Sequence, residues 1–194
     1  MTTILLARHG ETDWNRENRF QGHADPPLNA AGREQARVLA EALSGRPLAA
    51  VYTSPLRRAA ETAEIVAAPH VLPVEPVDGL REVDVGSWEG LTRAELEQRE
   101  PEQFHRWLVE HEQGWEDGET YEEMGRRVIR ALLALAERHR GERILAVTHG
   151  GPIRAAIAAA EGISHSEARR LGPVIGNGFA AGFAAEDGTL RRLD

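Results

Sequence analysis

The chain of 194 residues contains no cysteine and no lysine, and it has no apolar run long enough to cross a membrane. Without cysteine, neither disulfides nor thiolate–metal sites can form. Without lysine, all 23 basic residues are arginine, so a single arginine is weak evidence of function. The apolar stretch 153–160 is too short for a bilayer and contains Arg154. The N-terminus lacks a basic start followed by a long apolar stretch, so we expect a cytoplasmic protein.

Acidic residues outnumber basic ones by 31 to 23, which gives a formal net charge of −8. An acidic chain lacks the positive surface that binds a phosphate backbone, so we expect no nucleic-acid partner. The negative excess is confined to residues 81–120, which hold 12 acidic and 4 basic residues. The remaining 19 acidic and 19 basic residues balance. The net negative charge of the chain therefore comes from this one segment.

Short apolar runs alternate with helical patterns, which is typical of an α/β fold with crossover helices. The length predicts one domain, residues 1–194. We expect strands at residues 3–7, 49–53, 71–77, 143–148, 178–184 and 189–193. Two prolines make the third an edge strand or an extended segment. Helix boundaries are marked by Asn29 and Gly45, by Ser54-Pro55 and Pro69, by Thr120, Glu123 and Gly141, and by Pro152 and Gly162.

Two expected strands end in a histidine that precedes a glycine. His9 follows Arg8 at the end of the first strand, and His149 follows the strand 143–148. Arg58 lies in the first turn of the helix after another strand. Ligands bind beyond the carboxyl ends of strands in open α/β sheets, so these groups are expected to meet. Two guanidinium groups, two imidazoles and a helix N-terminus would suit a phosphoryl group.

Four blocks of the sequence resemble the histidine phosphatase superfamily, the phosphoglycerate-mutase-like proteins. The first block reads LARHGETDWN at residues 6–15 and continues with QG at 21–22. The others read SPLRRA at 54–59, LREVDVGSWEG at 80–90 and VTHGG at 147–151. They follow the family's order and cover nearly the whole chain.

The resemblance implies a three-layer α/β/α sandwich with a mostly parallel central sheet. It implies that His9 is phosphorylated during turnover and that Glu82 donates and accepts the proton. Arg8, Arg58 and His149 would bind the phosphoryl oxygens. We expect the other ring N–H of His9 to be held by a backbone carbonyl of the following loop.

The resemblance also implies a substrate-binding role for Asn15, Gln21, Gly22 and Gly150. It requires no metal and no cofactor. Because the acidic segment 81–120 continues directly from Glu82, we interpret it as an acidic cap over the active site. Such a cap is expected to disfavour highly charged substrates.

The block that contains Glu82 resembles the phosphatase members, including α-ribazole phosphatase and broad-specificity phosphatases, more than cofactor-dependent phosphoglycerate mutase. We therefore expect hydrolysis of a small phosphorylated metabolite. A mutase, which keeps the phosphoryl group and returns it to the substrate, is the alternative. The sequence names neither the substrate nor the oligomeric state, and a homodimer is one assembly that it leaves open.

Two other classes of protein stay open. One is a metal-dependent hydrolase that uses His9 and His149 with Asp13 or Asp84, although the sequence has no close spacing of metal ligands. The other is a catalytically silent module that binds phosphate or a phosphoprotein, since a fold does not fix a function.

Overall fold

The computed structural model describes residues 1–172 and 175–193, which contain a six-stranded sheet. Its strands are β1 (Thr2–Arg8), β2 (Ala50–Thr53), β3 (Val74–Pro76), β4 (Arg143–Thr148), β5 (Ala180–Glu186) and β6 (Thr189–Arg192). The strand order is β3-β2-β4-β1-β5-β6, in which β3, β2, β4 and β1 run parallel and β5 is antiparallel to both its neighbours. The mostly parallel sheet is confirmed.

Helices cover both faces of this sheet. They are α1 (Asp13–Arg16), α2 (Ala30–Leu43), α3 (Arg57–Ala67), α4 (Arg93–Arg99), α5 (Pro101–His105), α6 (Tyr121–Arg138), α7 (Gly150–Glu161) and α8 (His165–Arg170). Along β1, Ile4 and Leu6 join the core with α6 and α7, whereas Leu5 and Ala7 join the core with α2 and α3. This alternation produces the three-layer α/β/α sandwich that the sequence predicted. No helix in the described ranges is long and apolar enough to cross a membrane.

The parallel pairing brings the ends of three strands to one edge. Arg8 of β1 pairs with Thr148 of β4, and Thr53 of β2 pairs with Val147 of β4. The residues that follow β1, β2 and β4 therefore emerge side by side. This edge is the carboxyl edge, where ligands of open α/β sheets bind.

Several helix boundaries confirm the sequence signals, and one does not. Asn29 and Thr120 cap α2 and α6, and Gly162 ends α7 in the left-handed conformation. The expected cap at Ser54 is wrong, because α3 begins at Arg57 after an uncapped N-cap residue. The Ser54 hydroxyl accepts from the main-chain N–H of Leu56 at 3.3 Å and lies 2.7 Å from Nε2 of His149, so its contacts lie before α3 rather than in the first turn of the helix. Helix α7 begins two residues before the expected start, and β3 is shorter than the predicted 71–77.

Residues 81–120 form a small helical layer with its own aromatic packing. Helices α4 and α5 are followed by a single π turn, Arg106–Glu110. Trp88 and Trp115 are buried with ring centroids 5.7 Å apart, so both belong to the core of this layer. Trp107 is partly exposed and lines a cavity at the carboxyl edge of the sheet.

Candidate active site

His9 follows β1 directly and is fixed by backbone contacts. Its main-chain N–H donates to the carbonyl of Thr148 at 2.9 Å, and its Nδ1 lies 2.6 Å from the carbonyl oxygen of Gly10. A carbonyl only accepts, so Nδ1 carries the proton and Nε2 keeps its lone pair. The expectation of a backbone carbonyl from the following loop is confirmed.

Burial and positive charge keep the His9 ring neutral. The residue is 3% exposed. Burial lowers the pKa of His9 well below its usual value, and the charges of Arg58 and Arg8 lower it further. The neutral imidazole is the form that can attack phosphorus, because the protonated ring has no lone pair to donate.

His149 lies beside His9 at the same edge. The two ring centroids are 5.1 Å apart and the ring planes are tilted by 59°, so the predicted meeting of the two histidines is confirmed. Nε2 of His149 contacts the hydroxyl of Ser54, whereas its buried Nδ1 has no hydrogen-bond partner within the described chain. Burial, followed by the charge of Arg58, lowers the pKa of His149 well below its usual value.

Arg58 and Arg8 supply fixed positive charge next to His9. Arg58 is 1% exposed, and it donates to the carbonyls of Ala24 at 2.7 Å and Gly22 at 2.9 Å. Burial lowers the pKa of Arg58 to about 10, so the group stays charged at neutral pH. The Nε atoms of both arginines are buried and have no partner in the described chain. Both can therefore still donate to an anion.

Glu82 lies at the N-terminus of α7. Its Oε1 accepts from the main-chain N–H of Val83 at 3.0 Å and of Gly151 at 3.1 Å. The partial positive charge of the helix end stabilises the carboxylate there. A Cβ at Gly151 would overlap Oε1 and displace the carboxylate, so glycine at this position lets Glu82 keep its place.

Three of the four expected substrate-binding residues, Asn15, Gln21 and Gly22, line the cavity. The fourth, Gly150, begins α7, and the glycine after it lines the cavity. Oδ1 of Asn15 accepts from the main-chain N–H of Thr12 at 3.1 Å, and the Thr12 hydroxyl donates to Gln21 at 3.0 Å. The amide nitrogen of Asn15 is therefore left to donate to a ligand.

A family model described as the histidine phosphatase superfamily (branch 1) matches residues 4–180. The chain belongs to this superfamily. Among curated proteins it is similar to phosphoserine phosphatase 1 of Hydrogenobacter thermophilus. The two are 36% identical over 168 residues, which cover 86% of this chain and 80% of the relative.

Two solved structures superpose on nearly the whole chain. YhfR of Bacillus stearothermophilus is 36% identical, with a TM-score of 0.92 over 99% of this chain and 95% of that one. The alpha-ribazole phosphatase of Shigella flexneri is 29% identical, with a TM-score of 0.86 over 98% of this chain and 94% of that one. The expected likeness to the phosphatase members is confirmed, and this histidine phosphatase is a phosphoric monoester hydrolase.

Arg127 of α6 holds the segment of this histidine phosphatase that carries Glu82. Its Nη1 donates to the carbonyls of Gly79 at 3.0 Å and Arg81 at 2.8 Å, and its Nη2 donates to the carbonyl of Glu82 at 2.7 Å. The guanidinium also forms an ion pair with Glu119 at 2.6 Å. One side chain therefore joins α6 to three backbone carbonyls between Gly79 and Glu82.

Replacing Arg127 with glutamine is expected to lower the free energy of unfolding by about 2 kcal/mol, because several carbonyls and a partly buried carboxylate lose their donor. We expect kcat to fall at least about tenfold, since Glu82 loses its fixed position. Urea unfolding and steady-state kinetics measure the two effects. Arg126→Gln on the same helix is the control, because its exposed pair with Glu122 at 3.8 Å is worth less than about 0.5 kcal/mol. If the two variants had the same unfolding free energy and the same kcat, Arg127 would not hold Glu82 in position.

Asn177 is a site residue that the sequence did not reveal. Its Nδ2 donates to the carbonyl of His9 at 2.9 Å, and its side chain lines the cavity. It precedes β5, which is antiparallel to β1 and therefore starts where β1 ends. Only the direction of that strand brings this loop to the site.

The cavity is lined mainly by positive charge, contrary to the expectation for an acidic cap. Six arginines and one carboxylate, that of Glu82, are found among its described lining residues: Arg8, Arg19, Arg58, Arg93, Arg154 and Arg169. Most acidic side chains of 81–120 are instead exposed to solvent, on α4, α5 and the loops that follow. The charge count predicted that the segment 81–120 would repel charged substrates. That prediction assumed that its acids face the cavity, and most of them face solvent.

His165 of α8 lines the same cavity and is stacked on Tyr121. The ring centroids are 4.0 Å apart and the planes differ by 15°. Burial, followed by the charges of Arg154 and Arg169, lowers the pKa of His165 from 6.5 to about 3. The ring is therefore neutral at neutral pH.

The low pKa of His165 predicts a pH-dependent stability. The unfolded chain takes up this proton near the usual pKa of 6.5, whereas the folded protein takes it up only at about 3. The stabilisation is therefore complete above the unfolded pKa and is lost as the pH falls toward the folded pKa. We expect His165→Gln to flatten the fall in unfolding free energy across this window, measured by urea unfolding at several pH values. His105→Gln, at an exposed position, should keep the wild-type slope, and an unchanged slope in His165→Gln would contradict the shift.

The two aspartates considered for a metal-dependent hydrolase do not line the cavity. Asp13 forms an ion pair with Arg16 at 2.9 Å, and Asp84 accepts from the main-chain N–H of Gly86 at 2.9 Å. Within residues 1–172 and 175–193, no group of three His, Asp or Glu side chains is arranged to hold a metal ion.

Proposed function

We propose that this histidine phosphatase hydrolyses small phosphorylated metabolites through a phosphohistidine at Nε2 of His9. The supporting observation is the paired arrangement at the carboxyl edge of the sheet. A buried neutral His9, with Nδ1 bonded to Gly10, lies beside two guanidinium groups and within one cavity with Glu82.

In the first step, the Nε2 lone pair attacks phosphorus and the bond from phosphorus to the ester oxygen breaks. Glu82 donates its proton to that oxygen, so the alcohol leaves neutral. A phosphoryl dianion beside this carboxyl group favours its protonated form. Arg8 and Arg58 stabilise the charge on the three phosphoryl oxygens, which is the main requirement of a loose transition state.

In the second step, Glu82 acts as the base. It accepts a proton from a water molecule, the water oxygen attacks phosphorus, and the P–N bond to His9 breaks. Inorganic phosphate leaves, and both residues return to their starting forms. His149 would contact a phosphoryl oxygen through Nδ1, because its other ring nitrogen, Nε2, already contacts the hydroxyl of Ser54.

The size of the cavity fits a small metabolite. Its volume is about 360 Å³, near the lower end of the usual range for ligand pockets. The similarity to a phosphoserine phosphatase also favours a small phosphorylated substrate. We further propose that residues 1–194 form one domain, in which 81–120 cover the site, because Val83, Val85, Arg93, Trp107 and Trp115 line the cavity.

Trapping the covalent intermediate tests the proposal. The enzyme is mixed with a labelled phosphomonoester and EDTA and is quenched in denaturant at alkaline pH, where a P–N bond survives. We expect label on His9, its loss in acid, and its prevention by vanadate, which resembles the transferring phosphoryl group. Interconversion of 2- and 3-phosphoglycerate without release of phosphate would favour the mutase alternative. Loss of labelling on chelation would overturn the metal-independent mechanism.

A further inference from the structure

Four of the six arginines that line the cavity lie outside the pair assigned to the phosphoryl group. Of these four, Arg19 is paired with a neighbour, and Arg93 is exposed, so water can reach its donors. Arg19 forms an ion pair with Glu17 at 2.6 Å. The guanidinium carbon of Arg93 lies 5.4 Å from the centroid of the Trp107 ring. An exposed arginine stacked on an aromatic ring contributes mainly to packing.

Arg169 is occupied by structural hydrogen bonds. Its Nη2 donates to the carbonyl of Trp107 at 2.7 Å, and its Nη1 donates to the carbonyl of Glu112 at 3.1 Å and the hydroxyl of Tyr121 at 3.3 Å. Three of its five donors thus fasten α8 to the segment 81–120.

Arg154 differs from these arginines because it is half-buried while its donors are largely unused. In the described chain it forms one long hydrogen bond, from Nη2 to the carbonyl of Gly172 at 3.4 Å, and no ion pair with a carboxylate. A guanidinium has five N–H donors, so four remain. The group is half-buried, and burial followed by the charge of Arg169 lowers the pKa of Arg154. A charged group placed there without a counterion is costly unless a ligand supplies one.

The position of Arg154 indicates which part of a substrate it would meet. It lies three residues after Gly151 on α7, so the two share one face of the helix. The N–H of Gly151 holds the carboxylate of Glu82, the proposed proton donor to the leaving oxygen. The group attached to that oxygen therefore extends toward Arg154, along a wall formed by Tyr121 and His165.

We propose that Arg154 binds a carboxylate carried by the alcohol part of the phosphomonoester. This inference rests on the proposed function and names a substrate class within it. The planar fork of a guanidinium matches a carboxylate bidentately. A second phosphoryl group is a dianion, so it would need a second cation with free donors beside Arg154. Arg169 does not supply them, because three of its donors are already used. The neutral His165 beside this end adds no charge of its own.

The test compares two substrates that differ by the carboxylate alone, O-phospho-L-serine and O-phosphoethanolamine. We expect the wild type to prefer phosphoserine by about 10- to 100-fold in kcat/KM, the usual value of a hydrogen-bonded charged pair. Arg154→Gln should remove most of this preference, chiefly through a higher KM for phosphoserine. Arg154→Lys, which keeps the charge but not the fork, should fall between the two. Arg130→Gln, exposed on α6 and away from the cavity, is the matched control.

The outcomes separate this inference from the proposed function. If p-nitrophenyl phosphate is hydrolysed through His9 but the wild type does not distinguish the two substrates, the carboxylate site is overturned while the function stands. The same follows if Arg154→Gln folds with the wild-type Tm and keeps the preference. A larger effect of Arg154→Gln on fructose 1,6-bisphosphate than on phosphoserine would replace the carboxylate with a second phosphoryl group. If neither substrate nor p-nitrophenyl phosphate is hydrolysed, the proposed function itself fails.

Discussion

Replacing His9 with alanine is expected to lower kcat/KM for any phosphomonoester by at least about 10⁴-fold, since loss of a covalent nucleophile removes the reaction path itself. The remaining arginines can still bind a phosphoryl group, but no nucleophile is left to accept it. Steady-state release of phosphate measures the loss. The labelled phosphoenzyme should also disappear, because the acceptor atom is gone.

The fold is expected to survive this change. The ring of His9 makes one hydrogen bond, to Gly10, and its main-chain contact with Thr148 does not depend on the side chain. Circular dichroism and the Tm report on folding. His105→Ala is the control, because that histidine is exposed and does not line the cavity. A well-folded His9→Ala protein that keeps more than a trace of activity would remove His9 from the nucleophile's role.

Replacing Glu82 with glutamine is expected to slow hydrolysis of alkyl phosphates by about 10²- to 10⁴-fold, the usual value of general acid–base catalysis. The amide is nearly isosteric and can still contact the N–H of Gly151, but it has no proton to give to the departing alkoxide. Steady-state kinetics with an alkyl phosphate measure this loss.

The leaving group separates the two roles of Glu82. p-Nitrophenolate departs without a proton, so the first step should be affected far less with p-nitrophenyl phosphate. The second step still needs a base for water. Stopped-flow measurement of Glu82→Gln should therefore show a burst of about one p-nitrophenol per site, followed by slow turnover and an accumulated phosphoenzyme.

The control for Glu82 is Glu97→Gln, an exposed acid of α4 that does not line the cavity. It should behave as the wild type with both substrates. Equal losses of Glu82→Gln on alkyl and nitrophenyl phosphates, without a burst, would show that this carboxylate acts in positioning rather than in proton transfer.

Local patterns in the sequence predicted the fold well where short-range physics decides the structure. Apolar runs predicted the buried strands, because a strand that is covered on both faces is apolar along its length. In β4, all residues from Ile144 to Val147 are apolar and buried. Caps at Asn29 and Thr120 gave the starts of α2 and α6, because a side-chain oxygen satisfies a free N–H at a helix end. The signal at Ser54 failed because α3 begins three residues later, and the Ser54 hydroxyl contacts Leu56 and His149 instead of the first turn of the helix.

The sequence alone also predicted which residues meet at the proposed reactive end of the site. His9, Arg8, Arg58 and His149 were placed at strand ends or in the first turn of a helix, and parallel pairing then brings them to one edge. Their family blocks named Glu82 as well. A motif keeps its residues together in the chain, so reading it requires no knowledge of distant contacts.

Only the tertiary structure decided what surrounds that end. The charge count of 81–120 predicted a negative cover, but the helices turn most of its acids to solvent and Arg93 toward the cavity. Asn177 reaches the site from a distant loop, and Arg154 lies three residues beyond the VTHGG block; neither belongs to a motif. A count of charges does not say where each side chain points. A single arginine in an apolar helix does not show which group it would bind. The packing of α6, α7 and α8 supplies both, which is why chemistry could be predicted from the sequence and the shape and charge of the substrate pocket could not.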